Sequence, residues 1–129
     1  MIQVISTLLC DTAIQDAVTG KNSYIGVFER INAPILPVKI RATLAVRFKL
    51  RGSEKDHSIK LSVINPKGEE KVLTEFTTQD WSGKERAVAH FNMDLEFAEE
   101  GGYAIQVSAK EHNHWELLAS EDLEVGILN

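Results

Sequence analysis

Cysteine is nearly absent from this sequence. Cys10 stands alone, so no disulfide can form within the chain, and the fold must be held by its core. A chain without paired cysteines suits a reducing compartment. Clustered positive charge is lacking too. The formal net charge is −5, and the basic residues stand singly, as in Lys39, Arg41, Arg47, Lys49 and Arg51. Nucleic-acid binders usually concentrate Lys and Arg on one face, so no nucleic-acid partner is expected. No apolar run approaches the roughly 20 residues that a membrane-spanning helix needs. The stretch Ser6-Thr7-Leu8-Leu9-Cys10 has the outline of a lipoprotein cleavage site. It lacks small residues before the cysteine, a positively charged start and a long apolar segment. Cys10 is therefore read as a small buried hydrophobe, and the chain as cytoplasmic, with no membrane partner.

Chemical signatures are missing as well. There is no Gly-x-Ser-x-Gly elbow for a nucleophile and no Gly-rich phosphate loop leading into a helix. No Asp-x-Asp-x-Asp-Gly loop is present to ligate calcium. The expectation is a protein that is not an enzyme and carries no cofactor.

What is present is a pattern of strands. With 129 residues, 43% of them hydrophobic, the chain should form one domain (residues 1–129) that buries about two-thirds of its unfolded surface. Residues 2–10 are apolar on both alternating faces, as in a strand covered on both sides. Asp11-Thr12 offers a helix N-cap or a side-chain turn, with one helical turn over residues 12–19 or an irregular loop of equal standing. A second strand runs from about Asn22 to Arg30, with Gly26 marking a bulge or a close approach. The proline segment 32–37 is extended and suits a crossing between sheets, with Ile35-Leu36 packed down.

The third strand is the clearest. Ile40, Ala42, Leu44, Val46, Phe48 and Leu50 alternate with Arg41, Thr43, Ala45, Arg47 and Lys49, which predicts one wet face. Further strands follow around Ile59-Leu61-Val63, over residues 70–77, around Ala89-Phe91-Met93-Leu95-Phe97, from Tyr103 to Ala109, and from Trp115 to about Val125. The last is expected to carry a bulge near Leu117-Leu118. Turns are expected at residues 52–56, Asn65-Pro66-Lys67-Gly68, 79–86, 99–102 and 111–114. About eight short strands with little helix predict an all-β fold, an immunoglobulin-like antiparallel β-sandwich. Gly102-Tyr103 has the form of a tyrosine corner, in which the phenol bonds nearby backbone.

The residues Leu9-Cys10-Asp11, Gly20-Lys21, Ile25-Gly26-Val27-Phe28 and Arg30-Ile31, followed by the proline segment, resemble a family of small bacterial proteins that share a domain of unknown function. The resemblance implies a bacterial β-sandwich and brings no activity with it. Asp11 and Lys21 match its pattern but inherit no role.

Candidate functional residues are few. His112 and His114 share a strand face at a hairpin tip, as two metal ligands would, although zinc needs three or four. Trp81 and Trp115 border loops, where an indole either caps the core or stacks on a sugar or a partner protein. Arg41, Arg47 and Lys49 line the wet face of the third strand and suit an acidic partner. The chain is expected to be a non-catalytic protein-interaction or structural module. It would act through a sheet face, end loops or an edge strand, the last by pairing with a protein partner or a second copy. The alternative is a β-sandwich module that binds a small ligand or carbohydrate.

Overall fold

The computed structural model describes residues 2–50, 57–78, 84–111 and 113–128. These form nine strands: β1 (Ile2–Gln15), β2 (Asn22–Val27), β3 (Arg30–Ala33), β4 (Val38–Leu50), β5 (Ser58–Ile64), β6 (Glu70–Thr77), β7 (Arg86–Phe97), β8 (Gly101–Glu111) and β9 (His114–Ile127). One sheet has the order β2-β1-β4-β7, and the other β3-β9-β8-β5-β6. The fold is all-β, a sandwich of two sheets. No helix among the described residues is long and apolar enough to cross a membrane.

The alternation in β4 produces the core. Ala42, Leu44, Val46, Phe48 and Leu50 are all buried and face Ile59, Leu61, Ile105, Val107 and Leu123 of the other sheet within one apolar cluster. β1 lies inside its sheet, between β2 and β4, which is why Leu9 and Cys10 on opposite faces are both fully buried. The burial pushes the Cys10 thiol up from its ordinary pKa of 9.0, and neighbouring Asp11 adds to that rise.

Several local expectations are met by specific contacts. The Tyr103 hydroxyl donates to the Glu99 carbonyl at 2.7 Å, closing a tyrosine corner, while its ring stands edge-on to Phe97 at 4.8 Å. Burial raises the Tyr103 pKa. Asn65 organises the tight turn: its side-chain oxygen accepts from Lys67 N and Glu69 N, and Gly68 has φ +84°. The proline segment carries the chain from β3 in one sheet to β4 in the other. Leu118 is the extra residue in β9, because the register moves from Val107 opposite Ala119 to Ser108 opposite Leu117. Gly26 is the site of a close approach. Cys10 pairs with Val27 and Thr12 with Ile25, so Asp11 lies opposite Gly26, whose φ is +71°. A Cβ there would sit 2.7 Å from Asp11 Cγ.

Other expectations change. β1 continues as strand to Gln15, so residues 12–15 make no helical turn. Backbone pairing with β2 supplies the hydrogen bonds a helix would have supplied. The turn is set at Asp16, five residues after Asp11, where the carboxylate accepts from Val18 N and Thr19 N; those bonds hold its pKa below the usual 3.8. The strand expected over residues 22–30 ends at Val27, and a separate strand begins at Arg30. β2 stays with β1, and β3 crosses to run parallel to β9, with Ile31 opposite Val125. The second sheet is therefore mixed rather than purely antiparallel, and the described residues form nine strands. Leu36 packs on the core, but its neighbour Ile35 is 72% exposed. The turn expected at residues 52–56 lies outside the described residues.

Candidate functional site: the free edge of β7

Four strands end the two sheets, and they are not equivalent. β2 has six residues and β3 four. β6 has eight, but its register shifts at Leu73, which is left over between Thr74 opposite Leu61 and Val72 opposite Ser62. Short strands and bulges are the usual devices that blunt an edge. β7 has neither. It pairs with β4 over all twelve residues, from Arg86 opposite Lys49 to Phe97 opposite Val38, with no register shift. Among the described residues, its other side pairs with no strand.

The seam between β7 and β6 is open and half-apolar. Phe91 of β7 meets Phe76 of β6 with ring centroids 5.4 Å apart. Leu73, Phe76, Ala89 and Phe91 pack on the core but remain only partly buried. A cleft of 540 Å³ between Leu73 and Phe91 is continued by a 250 Å³ hollow towards Phe97 and Glu99. Together they follow β7 from His90 to Phe97.

The outward side chains of β7 divide by charge. Arg86 stands at one end and Asp94 and Glu96 at the other, all exposed. The acidic end is partly met by β4, with Arg41 3.7 Å from Asp94 and Lys39 4.0 Å from Glu96. These pairs are well exposed and contribute at most about 1 kcal/mol each. At the basic end, Lys49 lies directly opposite Arg86 and Arg47 opposite Val88. Like charges facing each other across a ladder are unfavourable.

Among the described residues, Arg41, Arg47 and Lys49 of β4 lie in one sheet and His114 and Trp115 of β9 in the other. Arg41, Arg47 and Lys49 do share the outer face of β4. The middle of that face is dry: Thr43 is 3% exposed and Ala45 4%. The reason is a contact between distant strands. Tyr24 of β2 touches His90 of β7, with the hydroxyl 3.2 Å from Nε2 and the rings edge to face. β1 and β4 lie between those strands in the sheet, so the β1–β2 hairpin crosses the outer face and covers it. Thr43 Oγ1 donates to Asn92 Oδ1 beneath it. Ile14, Ile25 and Val27 on the hairpin are each about half exposed.

Trp115 lies on the other sheet, over the amino groups of Lys60 at 4.9 Å and Lys110 at 5.9 Å. Lys60 also reaches Glu70 at 3.3 Å, so the indole shields the nearly buried lysine end of an ion pair whose carboxylate stays exposed. Ser62, two residues along β5, has a buried hydroxyl with no hydrogen-bond partner among the described residues. His114 opens β9 opposite Glu111 and is exposed. Trp81 and His112 lie outside the described residues. A trough of 640 Å³ opens beside Glu29, Arg30, Asp122 and Glu124. Its one guanidinium is engaged by Asn32, at 3.0 Å.

A model of DUF6941, a family of unknown function, matches residues 5–118. The chain belongs to that family. The match takes in most of β1, all of β2 through β8 and the start of β9, and thus the whole of the β7 edge. No curated protein matches the sequence of this DUF6941 chain. Among solved structures, the C-terminal domain of Wzt is similar, with a TM-score of 0.52 and 12% identity over 96% of this chain and 72% of that one. The Pseudomonas fluorescens alkylpurine DNA glycosylase AlkC, bound to DNA containing an abasic site analog, is similar with a TM-score of 0.53 and 12% identity. That match covers 97% of this chain but 30% of the glycosylase, so the DUF6941 chain spans under a third of its length. At this identity the likeness is one of fold alone.

The β7 edge was not singled out by any residue of the sequence. An edge is a property of neighbours, and the one local signal, unbroken alternation from Ala87 to Phe97, is equally that of a central strand.

Proposed function

We propose that this protein is a non-catalytic interaction module of the bacterial cytoplasm that accepts an added β-strand along β7. The observation that carries the reading is the β7 edge itself: twelve residues in one continuous register, beside an open seam lined by Leu73, Phe76 and Phe91. An extended segment laid against such an edge gains main-chain hydrogen bonds along its length, and alternate side chains enter the seam to give specificity. The exposed aliphatic residues of the β1–β2 hairpin add a second sticky surface on the same sheet. The shifted titrations have structural causes. Cys10 is shifted by burial, Asp16 by its turn, and Tyr103 by burial at its corner. A single unpaired cysteine fits a reducing compartment.

Amide hydrogen exchange tests this reading at a concentration that keeps the chain monomeric. Alternate amides of β7, those turned away from β4, should slow when peptides of alternating apolar and polar residues are added. Those of β2 should not. Unchanged exchange with every peptide would refute strand addition at this edge.

A second reading, a module for sugars or small ligands, is favoured by Trp115 on an outer sheet face. Lys60 and Lys110 already lie over that ring, which weakens it. Saturable quenching of tryptophan fluorescence by members of a glycan panel would support it over strand addition.

A further inference from the structure

The added strand can be specified further, and the argument rests on the strand-addition reading above. We propose that β7 pairs antiparallel with β7 of a second copy of this chain, about a two-fold axis at Phe91. The charge pattern supports that occupant. The outward side chains of β7 run from Arg86 at one end to Asp94 and Glu96 at the other. An antiparallel copy reverses that order, so each basic end meets an acidic end. A two-fold contact is self-complementary by construction, and a strand whose halves carry opposite charge meets the condition with itself.

Side-chain alternation narrows the register. Inward residues must oppose inward ones, because a slip by one residue would set the apolar face of one copy against the polar face of the other. With Phe91 opposite itself, Arg86 faces the partner's Glu96, His90 faces the partner's Asn92, and Val88 faces the partner's Asp94. On the inner side Ala89 faces the partner's Met93, and Ala87 the partner's Leu95, small against large. Arg86, which meets Lys49 within its own chain, gains a carboxylate across the axis. The half-buried seam of Leu73, Phe76 and Phe91 is closed by its own copy. The two four-stranded sheets become one continuous sheet of eight.

Charge reversal tests the pairing and the register together. The untagged chain should be a dimer in sedimentation equilibrium. Arg86→Glu and Glu96→Arg each set like charges in two symmetry-related places, and each should weaken the dimer by about tenfold or more. The double variant R86E/E96R restores opposite charges and should dimerise nearly as well as wild type. Both side chains are exposed, and unchanged thermal unfolding of the diluted monomers would show that the fold is intact. A strict monomer at millimolar concentration overturns the self-pairing, and the peptide-exchange experiment then decides separately whether the edge accepts another strand. A dimer indifferent to both single reversals, or one that the double variant fails to restore, also overturns it, because the contact would then lie elsewhere.

Discussion

Replacing Tyr103 with Phe removes one oxygen and leaves the rest of the corner in place. The ring keeps its edge-on contact with Phe97, so the apolar burial of a residue only 6% exposed is unchanged. What is lost is the bond to the Glu99 carbonyl at 2.7 Å and the longer one accepted from Glu99 N at 3.3 Å. A net hydrogen bond contributes about 1 kcal/mol, and a partly buried carbonyl left without its donor costs about 1–3 kcal/mol. The expected loss is about 2 kcal/mol. Urea unfolding at neutral pH, with a slope of about 1–3 kcal/mol per molar for a domain of this size, should show the midpoint falling by roughly 1 M. A second arm uses pH. The folded state raises the Tyr103 pKa from 10.0, through burial first, so it holds the phenolic proton more tightly than the unfolded chain does. The stability this contributes is fully present below pH 10 and is lost as pH rises through the folded value. Tyr103→Phe has no such proton, so the gap between wild type and variant should narrow above pH 10. A variant as stable as wild type, or a gap that stays constant with alkaline pH, would refute the corner as a stabilising device.

Two further outcomes are expected. Gly26→Ala meets both a positive φ and the Asp11 side chain; the backbone strain alone costs about 1 kcal/mol or more, and Asp11→Ala in the same chain should recover only part of the loss in thermal unfolding. Cys10, fully buried with its thiol pKa raised, should react with a thiol reagent only at the rate of unfolding, so its labelling should accelerate sharply across the urea transition; prompt labelling of the native protein would contradict the burial.

Features set within a few residues of one another were legible in the chain. The period-two pattern of β4, the Asn65-Pro66-Lys67-Gly68 turn, the tyrosine corner and the extra residue at Leu118 each rest on local chemistry: alternation, a side-chain acceptor, a short-range phenol bond, a surplus residue in an apolar run. The misreadings arise where a distant partner decides. Residues 12–15 have a sequence open to a helical turn, and β2 makes them strand. Arg30 looks like the end of the preceding strand and Asn32-Ala33 like the start of the proline crossing, until β9 takes residues 30–33 as a strand of the other sheet. Thr43 and Ala45 look wet by alternation, and a hairpin carrying Tyr24 dries them.

The sequence by itself therefore determined that this chain is a β-sandwich with a core along β4 and no paired cysteines, because periodicity and composition act residue by residue. Only the tertiary structure decided which strands lie at the edges. The same alternating stretch from Arg86 to Phe97 would serve at the centre of a sheet. It is exposed because sheet order leaves one side of it unpaired, and that order comes from long-range pairing that local pattern does not encode.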